Sequence, residues 1–377
     1  MNIDQFALPT MVVAAVAGSM LMIAQIVGVF MYDAAEVRQQ RAMWLHPHAR
    51  VYRRRPLITV LVSSHNDADT IRHTLDSILQ GNYRNVEVIV VDHGSTDMTK
   101  QVVKGYIDMH PKHSIRLVVR RHNQGRHASV LRAMKRHGSG QLVIQLPAGS
   151  VVAKEAFAHA AQHFAYDPSL HAITCNEQVG PTLSIVGLLE KYQALLSRRP
   201  DKALSAFGWM SHRGRISVCR TDAFTQPSRE LRVRYAYNIV VTVPALTSFG
   251  ATFGHVYRRY VQLLRASVGR QDGMMRMGYA FCSAFVAMSG PLLVAYFLYV
   301  ALYLHEPTLL LLAIGGLSAF MLTAIGESGQ MSLWQKAAYA FGIPMTYALL
   351  YLLSFSRLFA AIAAPFAQRL TDEKRAV

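Results

Sequence analysis

The residues best placed to do chemistry are Asp92-His93-Gly94-Ser95, which follow directly on the apolar run at 86–91. A carboxylate at the end of a strand can accept hydrogen bonds from a base or a ribose, and a Gly-Ser step lets backbone approach a ligand closely. Asn66 stands just past an earlier apolar run, 57–62, in the stretch Ser63-Ser64-His65-Asn66. Two polar strand ends in succession are a more specific signal than either alone. The plainer reading of Ser95 or Thr96 is a cap on the next helix, and Asp97 reads as an anion stabilising that helix's first turn. The three cysteines, Cys175, Cys219 and Cys282, show neither disulfide nor metal-ligand spacing, and the 16 histidines are scattered. A disulfide framework and a zinc site are therefore not expected.

The elements that must position these residues come from the hydrophobic pattern. Short Val-, Ile- and Leu-rich runs at 57–62, 86–91, 115–119 and 142–146 read as strands, and 70–79 and 97–109 read as helices between them. Such alternation predicts an α/β domain with a largely parallel sheet, placed at 56–224. Loops beyond the carboxyl ends of its strands are where ligands bind in open sheets of this kind.

On either side the sequence changes character. Residues 7–32 are almost uninterrupted apolar sequence, enough for a helix to cross the ~30 Å hydrocarbon core. No basic region precedes them and no small-residue cleavage site follows, so 1–32 reads as a retained anchor with its N-terminus outside. The segment 33–55 is basic, with Arg38, Arg41, Arg50, Arg53, Arg54 and Arg55 where the positive-inside rule predicts them. Residues 225–277 read as an amphipathic interface region and 278–367 as C-terminal membrane helices, with spans at 278–304, 308–325 and 337–355. A charged tail, 368–377, completes the order.

Composition agrees with a composite protein. The 377 residues are 52% hydrophobic and 16% charged, and 39 Lys and Arg against 22 Asp and Glu give a formal charge of +17. Basic surfaces bind nucleic acid or anionic lipid. The position of the Arg cluster after an apolar segment favours the bilayer as partner, and no nucleic acid is expected.

At 56–152 the chain resembles the membrane-bound family 2 glycosyltransferases of the polysaccharide-synthase type. The first strand with its His65-Asn66 ending looks like that family's opening strand. Tyr83-Arg84-Asn85-Val86-Glu87-Val88-Ile89-Val90-Val91-Asp92 matches the second, and His122-Asn123-Gln124-Gly125-Arg126 looks like its Asn-x-Gly-Lys step. The resemblance implies a GT-A fold and inverting transfer from a nucleotide sugar, commonly a UDP-sugar, to a glycan or lipid-linked acceptor. It also implies a donor site at Asn66, Asp92, His93, Gly94, Ser95, Gly125 and Arg126, with Arg126 a phosphate stabiliser.

The departures fall on the residues that do chemistry. The family's Asp-x-Asp, which holds Mg²⁺ or Mn²⁺ against the diphosphate, is Pro147-Ala148-Gly149-Ser150 here, so no metal cofactor is expected. The second acid of Asp-Asp-Gly-Ser is His93. The acidic pair before the C-terminal helices is missing, leaving Asp222 and Glu230 as candidates for the base. Gln-x-x-Arg-Trp appears as Gln262-Leu263-Leu264-Arg265-Ala266, so Gln262 and Arg265 are the expected acceptor-side relics. Two functions follow: a transferase that uses Arg and His in place of the metal, or an inactive pseudo-glycosyltransferase serving as an assembly subunit beside an active synthase. The location expected for either is the cell membrane, multi-pass, with the α/β domain in the cytoplasm.

Overall fold

The computed structural model describes residues 3–45, 55–119, 126–182, 184–210, 216–225, 231–246, 248–268 and 273–303, with scattered positions from 305 to 359. The chain divides into two compact units. One holds residues 1–32, 182–209 and 246–377, and the other holds 33–181 and 210–245.

The second unit contains the sheet. Its first strands are β1 (Ile58–Ser64), β2 (Val86–Asp92), β3 (Ser114–Val119) and β4 (Leu142–Pro147). Between them lie α2 (Ile71–Leu79), α3 (Thr99–Met109) and α4 (Arg126–His137). Then come β5 (Val151–Val152), α5 (Ala156–Tyr166), β6 (Ala172–Val179), β7 (Ser217–Arg220), the short α7 (Thr221–Thr225) and β8 (Val233–Val243). The strand order is β3-β2-β1-β4-β7-β6-β8-β5.

The strands expected at 57–62, 86–91, 115–119 and 142–146 are β1 to β4. β1 is buried along its whole length, which is why it reads as a continuous apolar run rather than an alternating one. β3 lies at the sheet's edge, and its residues are exposed or half-buried. The first four strands are mutually parallel. β7 then pairs antiparallel to both β4 and β6, β6 pairs parallel to β8, and β5 antiparallel to β8. The sheet is therefore mixed: its parallel half is the one the pattern showed. Val233–Val243, expected within an amphipathic interface region, is an 11-residue strand inside the sheet. Its alternating burial is the period of a half-buried strand.

One face of the sheet is covered by α2, α3 and α5 through Ile71, Leu75, Val103, Tyr106, Phe157 and Phe164. On the other, α4 packs against β1 and β2. Chain order runs from β1 outward to β3 and then returns to the opposite side of β1 as β4. That reversal puts a topological switch point between β1 and β4.

The end of helix α1 (Ile3–Leu45) is fastened to this unit by buried polar side chains. Arg234 Nη2 lies 3.1 Å from Glu36 Oε2, and Arg234 Nη1 donates to Gln39 Oε1 at 2.8 Å. His163 is buried between Gln39 at 3.1 Å and Asn238 at 3.0 Å. Burial lowers its pKa to about 4, so the imidazole is neutral there.

The first unit contains the rest of α1 with α6 (Ile185–Ala206), α8 (Phe249–Val268) and α9 (Gly273–Tyr303). Ser184 caps α6, its Oγ accepting from Gly187 N at 3.0 Å. Gly28 of α1 touches α6 so closely that a Cβ would come within 2.6 Å of Ala203. Glu190 of α6 accepts from Leu246 N at 2.7 Å.

Within α1, Pro9–Ala42 spans 34 residues, with a mean hydropathy of 2.2 over an 18-residue stretch, and it is the one helix among the described residues long and apolar enough to cross a membrane. At 1.5 Å per residue its length exceeds the ~30 Å core. Val16, Met20, Ile23, Ile26 and Phe30 are all exposed along it. α9 covers the expected span at 278–304, and the spans expected at 308–325 and 337–355 fall largely outside the described residues.

Candidate donor site at the carboxyl edge of the sheet

Register gathers the candidate residues. Ser64 lies opposite Asp92 and Ser63 opposite Pro147, so β1, β2 and β4 end at one level. Three loops leave that edge side by side: Ser64-His65-Asn66-Asp67, Asp92-His93-Gly94-Ser95 and Pro147-Ala148-Gly149-Ser150. They flank the switch point, where an open sheet leaves a crevice.

The first two loops are tied into one frame. Asp92 is fully buried, and its carboxylate accepts from Ser95 N at 3.3 Å and from Ser95 Oγ. Lys100 Nζ stands 3.8 Å from Asp92 Oδ2 and donates to Ser95 O at 2.9 Å. Across the gap, Asn66 N donates to Ser95 Oγ at 3.0 Å, and Asn66 Oδ1 accepts from Thr96 N at 2.8 Å. Asn66 reaches this geometry at φ 57°, a left-handed conformation that Asn tolerates better than most residues.

Asp67 and Asp97 close the frame. Asp67 Oδ2 accepts from His65 N at 2.7 Å and Ser64 Oγ at 3.1 Å. Asp97 Oδ1 takes Thr99 N at 3.1 Å and Thr99 Oγ1 at 2.5 Å, while its Oδ2 takes Ala68 N at 3.1 Å from the other loop. These bonds, Thr99's hydroxyl first, hold the Asp97 carboxyl below the usual range. Asp97 thus steadies the entry to α3, as its position suggested, and also bridges the loops. Asp67, Thr99 and Lys100 were not singled out from sequence. Asp67, beside Asn66, was the available signal.

The expected donor residues separate by position. Asn66, Asp92, His93, Gly94 and Ser95 come together at this edge. His93 is buried, with its N–H donating to Ser64 O at 2.9 Å, and Gly94 sits at φ 85°. Asp92 faces inward, so its carboxylate shapes the loop. Arg126 is the first residue of α4, whereas Gly125 lies outside the described residues. Gln262 and Arg265 lie on α8, in the other unit.

Of the two expected bases, Asp222 does not meet this edge. β7 runs antiparallel to β4 with Arg220 opposite Leu142, and Thr221 N donates to Gln141 O at 3.1 Å. Asp222 therefore sits exposed at the amino edge, roughly 17–20 Å away along a six-residue strand. It was a candidate as one of the few acids in that stretch of the chain; the direction of β7 sends it to the opposite end. Glu230 lies outside the described residues.

The metal that the resemblance implies does not fit the third loop. Pro147 is paired to β1, Gly149 stands at φ 82°, and neither offers an oxygen-bearing side chain. A Cβ at Gly149 would rest 3.4 Å from Pro244 and 3.5 Å from Thr70. Among the described residues no group of three His, Cys, Asp or Glu side chains could hold a metal ion. Asp67, Asp92 and Asp97 already serve the loops. What this edge supplies is a hydrogen-bonded polar frame of backbone and short side chains.

Comparison with known proteins agrees with this architecture. Residues 59–204 match the family described as Glycosyl transferase family 2. A poly-beta-1,6-N-acetyl-D-glucosamine synthase of Staphylococcus aureus (strain MSSA476) is 28% identical over 141 residues, covering 37% of this chain and 33% of that protein. The synthase of the same name from Staphylococcus epidermidis is 28% identical over 133 residues, covering 35% and 31%. The similarity thus spans about a third of the length of these relatives. Among solved structures, the mannosyltransferase PcManGT from Pyrobaculum calidifontis, in complex with GDP-Man and Mn2+, superposes with a TM-score of 0.54 at 19% identity. The alignment covers 95% of this chain and 98% of that one, and what it establishes is the shared fold. Over residues 59–204 the chain carries a glycosyl transferase family 2 domain, folded as a GT-A-like mixed sheet.

Proposed function

We propose that this chain is a membrane-anchored, family 2 glycosyltransferase-like protein that takes a nucleotide sugar, a UDP-sugar in this reading, at the carboxyl edge of its sheet. By family it passes the sugar to a glycan or lipid-linked acceptor. The observation that carries the reading is the closed frame of Asn66, Asp92, Ser95 and Asp97 at the switch point. Such a frame is pre-organised for a base and ribose without further ordering cost. Arg126 opens α4, whose N-terminal dipole favours the diphosphate. The names of the synthase relatives support polysaccharide assembly as the setting. The apolar Pro9–Ala42 is the anchor, with α9 a further crossing and the domain on the cytoplasmic side.

A second reading has a specific observation in its favour. Departure of a nucleoside diphosphate leans on fixed charge or a metal at the phosphates. Here Pro147 and Gly149 stand at the metal's place, and Asp222 stands at the far edge. A binding or assembly subunit beside an active synthase would keep the frame and need neither.

Calorimetric titration of the detergent-purified full chain with UDP and UDP-sugars, with and without Mn²⁺, tests both. Metal-independent binding that Asp92→Ala removes supports the donor site, and sugar transfer in the same preparation selects the transferase. Binding without transfer selects the subunit reading. Absence of binding under every condition would sink the donor site and leave the assembly-subunit reading.

A further inference from the structure

Strand β8 departs from regular pairing at one place, and the end of α1 meets it there. Cys175 of β6 pairs with Ala236 of β8, but Asn176 pairs with Val240, so Tyr237, Asn238 and Ile239 form a bulge of three residues. A bulge breaks the ladder and frees polar groups that need other partners. Asn176 Nδ2 donates to Tyr237 O at 2.9 Å. Helix α1 supplies further partners. Gln40 Nε2 donates to the Tyr237 hydroxyl at 3.2 Å, and Gln39 reaches Asn238 through His163.

The link through His163 runs in one direction. Arg234 Nη1 donates to Gln39 Oε1 at 2.8 Å, which turns the amide nitrogen of Gln39 toward His163. That nitrogen donates to His163 Nδ1 at 3.1 Å, so the ring carries its proton on Nε2 and donates to Asn238 Oδ1 at 3.0 Å. Gln39 and His163 are both buried, so breaking the link strands polar atoms away from water. Past the bulge, β8 holds the carboxyl-edge loop 147–150. Val241 and Thr242 pair with Val152 and Val151, which follow that loop, and Ala153 N donates to Val240 O at 3.1 Å. Pro244 lies 3.4 Å from the position of a Cβ on Gly149. The register of β8 after its bulge therefore sets where the loop sits. A slip of one residue would turn the buried Val241 and Val243 out of the core.

We propose that Gln39 and Asn238 are positioning residues, through which the end of α1 fixes the register of β8 beyond its bulge and the seat of the 147–150 loop. That this loop borders a nucleotide site rests on the donor reading; the mechanical link does not. Hydrogen exchange of the full chain in detergent, read by mass spectrometry, tests the link. In Gln39→Leu and in Asn238→Ala, the amides of residues 240–243 and 149–153 should exchange about tenfold faster than in wild type. Those of β1 and β2 should stay within about twofold. Tyr106→Phe is the matched control, because it removes a side-chain bond to Asp76 at 2.7 Å in the parallel half of the sheet. It should leave residues 240–243 within about twofold of wild type. Unchanged exchange at 240–243 in Gln39→Leu and Asn238→Ala would overturn the proposal. So would faster exchange throughout the sheet, or the same pattern in Tyr106→Phe. Thermal unfolding shows which variants are folded, and since the two lie on different elements, either alone carries the test. UDP titration of the wild type decides the donor reading separately, because the exchange measurement needs no nucleotide.

Discussion

The two ends of one sheet use charge in opposite ways. At the carboxyl edge the acids are consumed: Asp67, Asp92 and Asp97 each accept hydrogen bonds from the loops and bind them into a frame. At the amino edge, among the described residues, one buried acid does that work. Glu87 accepts from Thr59 Oγ1, from Ser139 N at 2.6 Å and from Gly140 N at 3.0 Å, while Arg84, Lys112, Lys135 and Arg136 are exposed and, among the described residues, form no ion pair with an acid. The difference teaches what a carboxylate is for in this domain. It fastens backbone, and the positions where the family resemblance expects a carboxylate to face a metal hold Pro147 and Gly149 instead.

The strongest way to break this comparison is Asp92→Ala. It strands Ser95 N and Oγ in a fully buried site, so roughly 3 kcal/mol of stability should go, along with nucleotide binding. Thermal unfolding and UDP titration read the two losses. Stability unchanged would mean that Asp92 does not hold the loop.

Acid provides the next test, because His163 lies at neither edge. Its pKa is lowered to about 4, and an unfolded histidine titrates near 6.5, so the unfolded chain binds more protons between those values. Stability is therefore complete above about pH 6.5 and falls as pH drops toward 4, by about 2–3 kcal/mol. His163→Gln should flatten this slope in unfolding curves taken across that range. If its slope matches wild type, another group is titrating.

Glu87→Gln should cost about 2 kcal/mol by weakening charge-assisted bonds, with nucleotide affinity unchanged. Burial raises the Glu87 carboxyl, but the bonds from Thr59, Ser139 and Gly140 outweigh it and hold the pKa below the usual value. Its contribution is present above about pH 4.3 and is lost as pH falls through the folded value, so the variant should lose less than wild type in that window. A matching drop in UDP affinity would show that the two edges are coupled.

Gly149→Asp is the smallest change. At φ 82° any side chain costs about 1–2 kcal/mol, and a lone carboxylate there should not confer Mn²⁺ binding. Calorimetry with Mn²⁺ that shows a new site would mean the turn relaxes toward a metal-binding form.

Much of the first half was legible because its signals are local. Val- and Ile-rich runs buried on both faces mark β1, β2 and β4 within a residue or two, and Asn66 with Asp92 marks the strand ends. The second half was not. β7 is four residues long, and β8 follows a polar stretch, so neither stands out from a sequence read segment by segment. Lys100 gave no signal either, since a lysine on a helix face is usually a solvated charge.

By itself the sequence determined the α/β class, the order of the first strands, the apolar helix at the N-terminus and the loss of Asp-x-Asp. Each is written in residue type and period, which local physics decodes. Only the tertiary structure decided which way each carboxylate faces and which edge it occupies. β7 runs antiparallel to β4 and carries Asp222 to the amino edge, while Asp92 turns inward to Ser95 and Lys100. Strand direction and register arise from pairing between segments far apart in the chain. No local pattern encodes them, and they fix which groups can meet a ligand.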